Sequence, residues 1–185
     1  MGCFSRLTLF YPDDYQENVF LINYRKLAET GIKVLFIDLD NTLIPYDEKE
    51  PSAEHNTLFQ KFKELGLSVV IISNNRHGRV VHFANLLGLP YIENARKPCR
   101  SGFKRAWALF PKMGKNEIMV IGDQVMTDVL GAKRMGFQVT LVNAIKRESE
   151  RWYTRLNRKI ERLILRRIKQ KDPDYYEQLN LKEKR

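Results

Sequence analysis

The sequence predicts a doubly wound (Rossmann-like) α/β fold on a parallel sheet. Three observations carry that reading. Near-continuous apolar runs recur at 33–38 (KVLFID), 67–73 (LSVVIIS) and 117–122 (EIMVIG), as strands covered on both faces require. Helix-length stretches alternate with them, near 53–65, 77–87, 101–110 and 127–135. Gly66, Gly88 and Gly136 stand where the C-caps of three of those helices are expected.

Taken in order, a segment near 18–30 reads as a short helix leading into the first strand, 33–38. That strand ends in Asp38-Leu39-Asp40-Asn41-Thr42-Leu43. Helix 53–65 returns the chain to the second strand, which ends at Ser73-Asn74. Helix 77–87, a short strand at 90–92 and a loop through Lys97-Pro98 follow. Helix 101–110 leads to strand 117–122, which closes on Gly122-Asp123-Gln124-Val125-Met126-Thr127-Asp128. Helix 127–135 and a strand at 138–142 (QVTLV) complete the pattern. Short turns and right-handed crossovers bring the polar strand ends to one edge of the sheet, where ligands of such folds bind.

Length and composition narrow the function. A chain of 185 residues, 43% hydrophobic and 29% charged, fits one globular domain with an appendage. Cys3 and Cys99 are too few for a disulfide framework, so two free thiols in a reducing compartment are expected. No apolar run reaches the roughly 18 residues of a membrane span, and a cytoplasmic location is expected. The charge is uneven: residues 151–171 hold nine Lys or Arg against Glu161 alone, so +8 of the net +10 lies in one C-terminal segment. We divide the chain into a catalytic domain, 1–145, and a basic amphipathic tail, 146–185. A GxxxxGK[ST] loop and a GxGxxG turn are absent, and His55, His77 and His82 lack zinc-ligand spacing with the cysteines.

The strand-end residues carry the chemistry. Two carboxylates two residues apart on a tight loop can divide the work. Ionised Asp38 can attack phosphorus. Asp40, crowded by a second carboxylate, can protonate a leaving oxygen and later take a proton from water. Ser73 and the following amides can hold a phosphoryl oxygen. Lys97 can offset charge on nucleophile and phosphate, or can be one more surface lysine. Asp123 and Asp128 are oxygen donors suited to Mg²⁺, although each could instead cap a helix.

In order and spacing these pieces resemble the motifs of the haloacid dehalogenase (HAD) superfamily of phosphohydrolases, over roughly residues 30–145. DxDxT is similar to Asp38, Asp40 and Thr42; a Ser closing a strand, to Ser73 with Asn74 beside it; the lysine, to Lys97; and GDxxxTD, to Asp123 and Asp128. The resemblance implies a HAD-like fold and a Mg²⁺-dependent phosphatase working through an aspartyl phosphate. It makes Asp38, Asp40 and Lys97 catalytic and gives Thr42, Ser73 and Asn74 to the substrate. It gives the metal to Asp38, the Asp40 carbonyl, Asp123 and Asp128. FIDLDNTL, Asn74-Asn75 and Lys97-Pro98 resemble most closely the YqeG-like type IIIA branch, related to mitochondrial phosphatidylglycerophosphate phosphatases.

The intervals from Asp38 to Ser73 and from Ser73 to Lys97 are too short for a cap domain, so a capless, open site is expected. Such a site suits phosphate carried on something large. By resemblance the substrate is phosphatidylglycerophosphate, and the partner an anionic lipid met peripherally at a membrane surface. A nucleic-acid or protein phosphomonoester is the alternative, disfavoured for single strands because tail aromatics are sparse beyond Trp152 and Tyr153. At about 100° per residue, Trp152, Tyr153, Leu156, Ile160, Leu163, Ile164 and Ile168 share one face of the tail. That face is expected either to dock on the domain or to lie on a membrane. Protein cut after Ala144 is expected still to hydrolyse a soluble ester.

Overall fold

The computed structural model describes residues 7–76, 78–148 and 152–181, with the backbone alone for Trp152 and Tyr153. Cys3, His77 and Arg151 lie outside the described residues. Six parallel strands form one sheet: β1 (Asp14–Gln16), β2 (Val34–Ile37), β3 (Ser68–Ile72), β4 (Tyr91–Ile92), β5 (Ile118–Gly122) and β6 (Gln138–Val142). Their order is β1-β6-β5-β2-β3-β4. From β2 the chain builds outward through β3 and β4, then crosses back to β5 and β6. The reversal lies between β2 and β5, which makes their carboxyl ends the natural ligand crevice.

The helices are α1 (Tyr24–Glu29), α2 (Ala53–Glu64), α3 (Arg79–Leu87), α4 (Arg100–Ala108), α5 (Leu130–Met135), α6 (Trp152–Lys171) and α7 (Pro173–Gln178). Alternate strand residues feed opposite faces of the sheet. Leu35, Ile37, Val69 and Ile71 pack with Tyr24, Phe62 and Phe83 from α1, α2 and α3. Val34, Phe36, Val70 and Val120 pack with Phe103, Ala132 and Ile168 from α4, α5 and α6. Gly66, Gly88 and Gly136 take left-handed φ of 69°, 64° and 78°, as their C-cap role demands.

Three differences from the sequence reading have physical causes. β1 is a three-residue edge strand, too short and polar to show as an apolar run; it pairs with β6 from Asp14↔Thr140. Residues 18–30 form a turn at Val19–Leu21 before α1, because Asn18 and Asn23 each cap a separate start. The helix expected from 127 opens as a π-helical turn, Val125–Val129.

The C-terminal segment packs on the α4/α5 layer. Its inward face is not the apolar one drawn from the sequence: Thr154, Arg158, Glu161, Leu165 and Ile168 are buried, while Leu156, Ile160 and Leu163 are exposed. Among the described side chains of the expected face, Ile168 alone is fully inside, with Ile164 half-buried. No helix among the described residues is long and apolar enough to cross a membrane.

Candidate active site

Asp38 ends the central strand, its N–H donating to the Ile121 carbonyl at 2.9 Å. The chain then turns back tightly, Leu43 and Ile44 both donating to the Leu39 carbonyl at 3.1 and 3.2 Å. Asn41 takes a φ of 62°, a left-handed conformation asparagine tolerates better than most residues. The turn brings Thr42 Oγ1 to 3.4 Å from both Asp38 Oδ2 and Asp123 Oδ1.

Ser73 ends β3 one strand away. Its hydroxyl donates to Asp40 Oδ2 at 2.8 Å and accepts from the Asn75 N–H at 3.0 Å. Asn74 clamps the backbone of Lys97: its Nδ2 donates to the Lys97 carbonyl at 3.0 Å, and the Lys97 N–H donates to its Oδ1 at 2.7 Å. Both ends of that amide therefore serve the lysine loop. The clamp delivers Lys97 Nζ to 2.5 Å from Asp38 Oδ1 and 2.7 Å from Asp128 Oδ1.

Asp123 follows β5, and Asp128 rides the π-helical turn, an irregularity frequent at functional sites. Asp128 both caps and faces the site: Oδ2 accepts from the Gln124 N–H at 3.1 Å while Oδ1 meets Lys97. It rests on Gly122, where a Cβ would stand 2.3 Å from Asp128 Cγ; only glycine fits. Asp38, Asp123 and Asp128 each offer an oxygen within 4.8 Å of the others, all three residues buried. Hard oxygen donors so clustered fit a divalent cation such as Mg²⁺. The Asp40 side chain lies outside this cluster, leaving only its backbone carbonyl for the role the resemblance implied.

The electrostatics follow from burial. Desolvation, opposed by Lys97 and reinforced by Asp128 and Asp123, raises the Asp38 pKa to about 7. Asp128 is raised as well, by burial first and Asp123 next, against Lys97. Burial works against the Lys97 charge, but Asp128 and Asp38 outweigh it and hold the ammonium above the usual lysine range.

Three further groups enter the site that motif reading missed. Arg79, at the start of α3, pairs with Asp40 Oδ1 and donates to the Pro45 carbonyl and, at 2.7 Å, to the Glu48 carbonyl. The sequence reading surrounded Asp40 with a second carboxylate; the charged group the structure sets against it is this guanidinium. Arg158 of α6 pairs with Asp123 Oδ2 and donates to the Asp123 carbonyl at 2.7 Å. Glu161 accepts from the Val125 N–H at 2.9 Å. Arg79 and Arg158 are single arginines among many, and nothing local marks them. Glu161 carried a signal, as the lone acid of the basic stretch. Asp38, Asp40 and Lys97 open onto a cleft of about 220 Å³, its other walls including Tyr46, Met126, Thr154 and Asn157.

Comparison with known proteins gives the chain a family and a fold. The sequence model of the haloacid dehalogenase-like hydrolases matches residues 13–136. A Bacillus subtilis (strain 168) protein named "Probable phosphatase YqeG" is 41% identical over 162 residues, spanning 88% of this chain and 93% of that protein. The cobalt-bound deoxy-D-mannose-octulosonate 8-phosphate phosphatase YrbI of Haemophilus influenzae superposes with a TM-score of 0.51 at 14% identity, over 76% of this chain and 90% of its own. A hypothetical protein of Xanthomonas campestris superposes with a TM-score of 0.52 at 14% identity, over 76% of this chain and 80% of its own. At such identities the two solved structures speak for the fold alone.

Proposed function

This chain belongs to the haloacid dehalogenase-like hydrolases, and from that premise we propose that it is a Mg²⁺-dependent phosphatase acting through an aspartyl phosphate on Asp38. The observation that carries the reading is the meeting of Asp38, Asp123 and Asp128 within 4.8 Å, with Lys97 bridging two of them. A phosphatase-named relative at 41% identity supports the same reaction class.

In the first displacement an Asp38 oxygen bonds to phosphorus and the ester P–O bond breaks, the leaving oxygen taking a proton from Asp40. In the second, Asp40 takes a proton from water, whose oxygen bonds to phosphorus as the Asp38–phosphorus bond breaks. Lys97 offsets charge on nucleophile and phosphoryl oxygens, and Thr42 and Ser73 orient Asp38 and Asp40. Asp40 needs a proton for the first step; Arg79 engages Oδ1, which leaves Oδ2, beside the Ser73 hydroxyl, as the oxygen to carry it. Asp38, Asp123, Asp128 and the Asp40 carbonyl would hold Mg²⁺, which supplies charge neutralisation of the phosphoryl group when bound.

The finer reading places the phosphate on an anionic phospholipid head group, phosphatidylglycerophosphate by family resemblance. Between Asp38 and Lys97 the described residues hold only α2, β3, α3 and β4, so no inserted domain covers the cleft, although Thr154 and Asn157 of α6 wall part of it. On the outer side of α6, Leu156, Ile160 and Leu163 are 51%, 37% and 59% exposed, beside exposed Arg155, Lys159, Arg162 and Arg166. Apolar side chains flanked by cations suit a surface of anionic head groups over acyl chains. A nucleic-acid or phosphoprotein substrate would use the cations and leave the apolar stripe idle. A phosphate-release screen with Mg²⁺ across lipid, nucleotide, phosphopeptide and sugar phosphates tests both levels. Release from a phosphopeptide or oligonucleotide alone would overturn the lipid assignment, and no release from any ester would overturn the reaction.

A further inference from the structure

The C-terminal helix reaches the site through a charged face. Thr154, Arg158 and Glu161 are 1%, 5% and 2% exposed, although their helix is the most basic stretch of the chain. Burying an arginine is costly unless it is paired and hydrogen-bonded. A helix serving only to cover the sheet would be expected to place apolar residues here, as it does one turn later with Leu165 and Ile168. Arg158 instead grips Asp123 twice, at Oδ2 and at the backbone carbonyl. Glu161 Oε2 lies 3.4 Å from Arg158 Nη1 and also takes the Val125 N–H, so α6 anchors the start of the turn that carries Asp128.

The oxygens divide in an orderly way. Asp38 Oδ1 and Asp128 Oδ1 meet Lys97, Asp128 Oδ2 meets the Gln124 N–H, and Asp123 Oδ2 meets Arg158. Asp38 Oδ2 and Asp123 Oδ1 both stand 3.4 Å from Thr42 Oγ1, on one side of the cluster. Arg158 therefore decides which oxygen of Asp123 faces Asp38. Two effects of opposite sign follow. A nearby positive charge repels a cation, while a fixed carboxylate receives one without first being ordered. The guanidinium binds Asp123 through the oxygen that Thr42 does not touch and through the main chain, an arrangement that favours the ordering effect.

We infer that Arg158 is a positioning residue, holding Asp123 so that Oδ1 faces Asp38 across Thr42 and thereby making the C-terminal helix part of the cation site. The inference rests on the reading that this cluster binds a divalent cation. Outer-shell partners of metal ligands are commonly worth 10–100-fold in metal affinity.

The test is calorimetric titration of the full chain with Mg²⁺ alone, for wild type, Arg158→Ala, Arg158→Gln and Arg158→Lys. Affinity should fall about tenfold or more in the Ala and Gln variants. It should recover in part in Arg158→Lys, and in Arg158→Ala on addition of guanidinium ion. With a soluble ester, raised Mg²⁺ should restore much of kcat with little change in ester KM, a split that general destabilisation would not produce. Should Arg158→Ala fail to fold, Glu161→Gln and Arg158→Lys carry the same comparison. Mg²⁺ affinity unchanged or tightened in folded variants overturns the inference alone. A wild-type chain that binds neither Mg²⁺ nor Mn²⁺ overturns the cation reading beneath it.

Discussion

Lys97 Nζ lies 2.5 Å from Asp38 Oδ1, both side chains buried, although 59 residues separate them in the chain. The lysine stands beside the atom that would attack phosphorus. Asp38→Asn should abolish phosphate release while circular dichroism stays native, because an amide is a poor nucleophile. Lys97→Ala should cost roughly a hundredfold or more in kcat, in the range seen when one electrostatic stabiliser is removed. Beryllofluoride should bind wild type as an acyl-phosphate mimic, and Asp38→Asn should not. Wild-type turnover in folded Asp38→Asn would end the covalent mechanism.

Cation binding should depend on pH. The folded chain holds the Asp38 proton up to about 7, against an ordinary value of 3.8. Without metal, the stability this group contributes is present below about 4 and lost as pH rises through about 7. A cation needs the ionised carboxylate, so binding releases the proton. Apparent Mg²⁺ affinity should therefore climb from pH 5.5 to about 7 and level off above it. Titrations in buffers of different ionisation enthalpy count the proton, and a flat profile would contradict the placement of Asp38 in the cation site.

The two later acids lose different partners. Asp123→Asn should weaken Mg²⁺ binding and also lower Tm, because it leaves the buried Arg158 guanidinium without its carboxylate. Asp128→Asn should do both, since it also loses the bond from the Gln124 N–H, a cap worth roughly 0.5–2 kcal/mol. Gly122→Ala should destabilise by about 1–3 kcal/mol, because its methyl would collide with Asp128. Thermal melts with and without Mg²⁺ distinguish the three. A Gly122→Ala chain as stable as wild type would show that Asp128 does not need its present seat.

The tail should behave as two faces. Ile168→Ala, fully buried against the sheet, should cost about 2–5 kcal/mol, whereas Leu163→Ala should stay within about 0.5 kcal/mol. Leu156→Asp with Leu163→Asp should leave Tm unchanged yet abolish sedimentation with anionic vesicles at low salt. Persisting vesicle binding in that variant would remove the outer face from any membrane role. Cutting after Ala144 removes Arg158, Glu161 and Ile168 together. The shortened chain should lose Mg²⁺ affinity and stability along with vesicle binding, whereas sequence alone led us to expect that it would still hydrolyse a soluble ester.

The sequence by itself determined five strands of the sheet, all but β1, and the acids at its edge. Strands buried on both faces must be written as continuous apolar runs, and the polar residue that ends each run is visible at once, so Asp38, Ser73 and Asp123 could be read off locally. Asp40, Thr42, Lys97 and Asp128 follow because they sit at fixed offsets from those ends. Tertiary structure decided what each side chain touches. Asn74 clamps the Lys97 backbone, Arg79 takes Asp40 and Arg158 takes Asp123, and each pairing spans 23 to 39 residues with no periodic trace. The tail shows the same division. Apolar residues on one helical face ordinarily dictate which side packs, yet α6 turns Arg158 and Glu161 inward and leaves Leu156, Ile160 and Leu163 outside. Hydrophobic burial is non-directional and can be met by Leu165 and Ile168 alone. The buried carboxylate of Asp123 and the N–H of Val125 need specific partners, and those directional demands set the rotation of the helix.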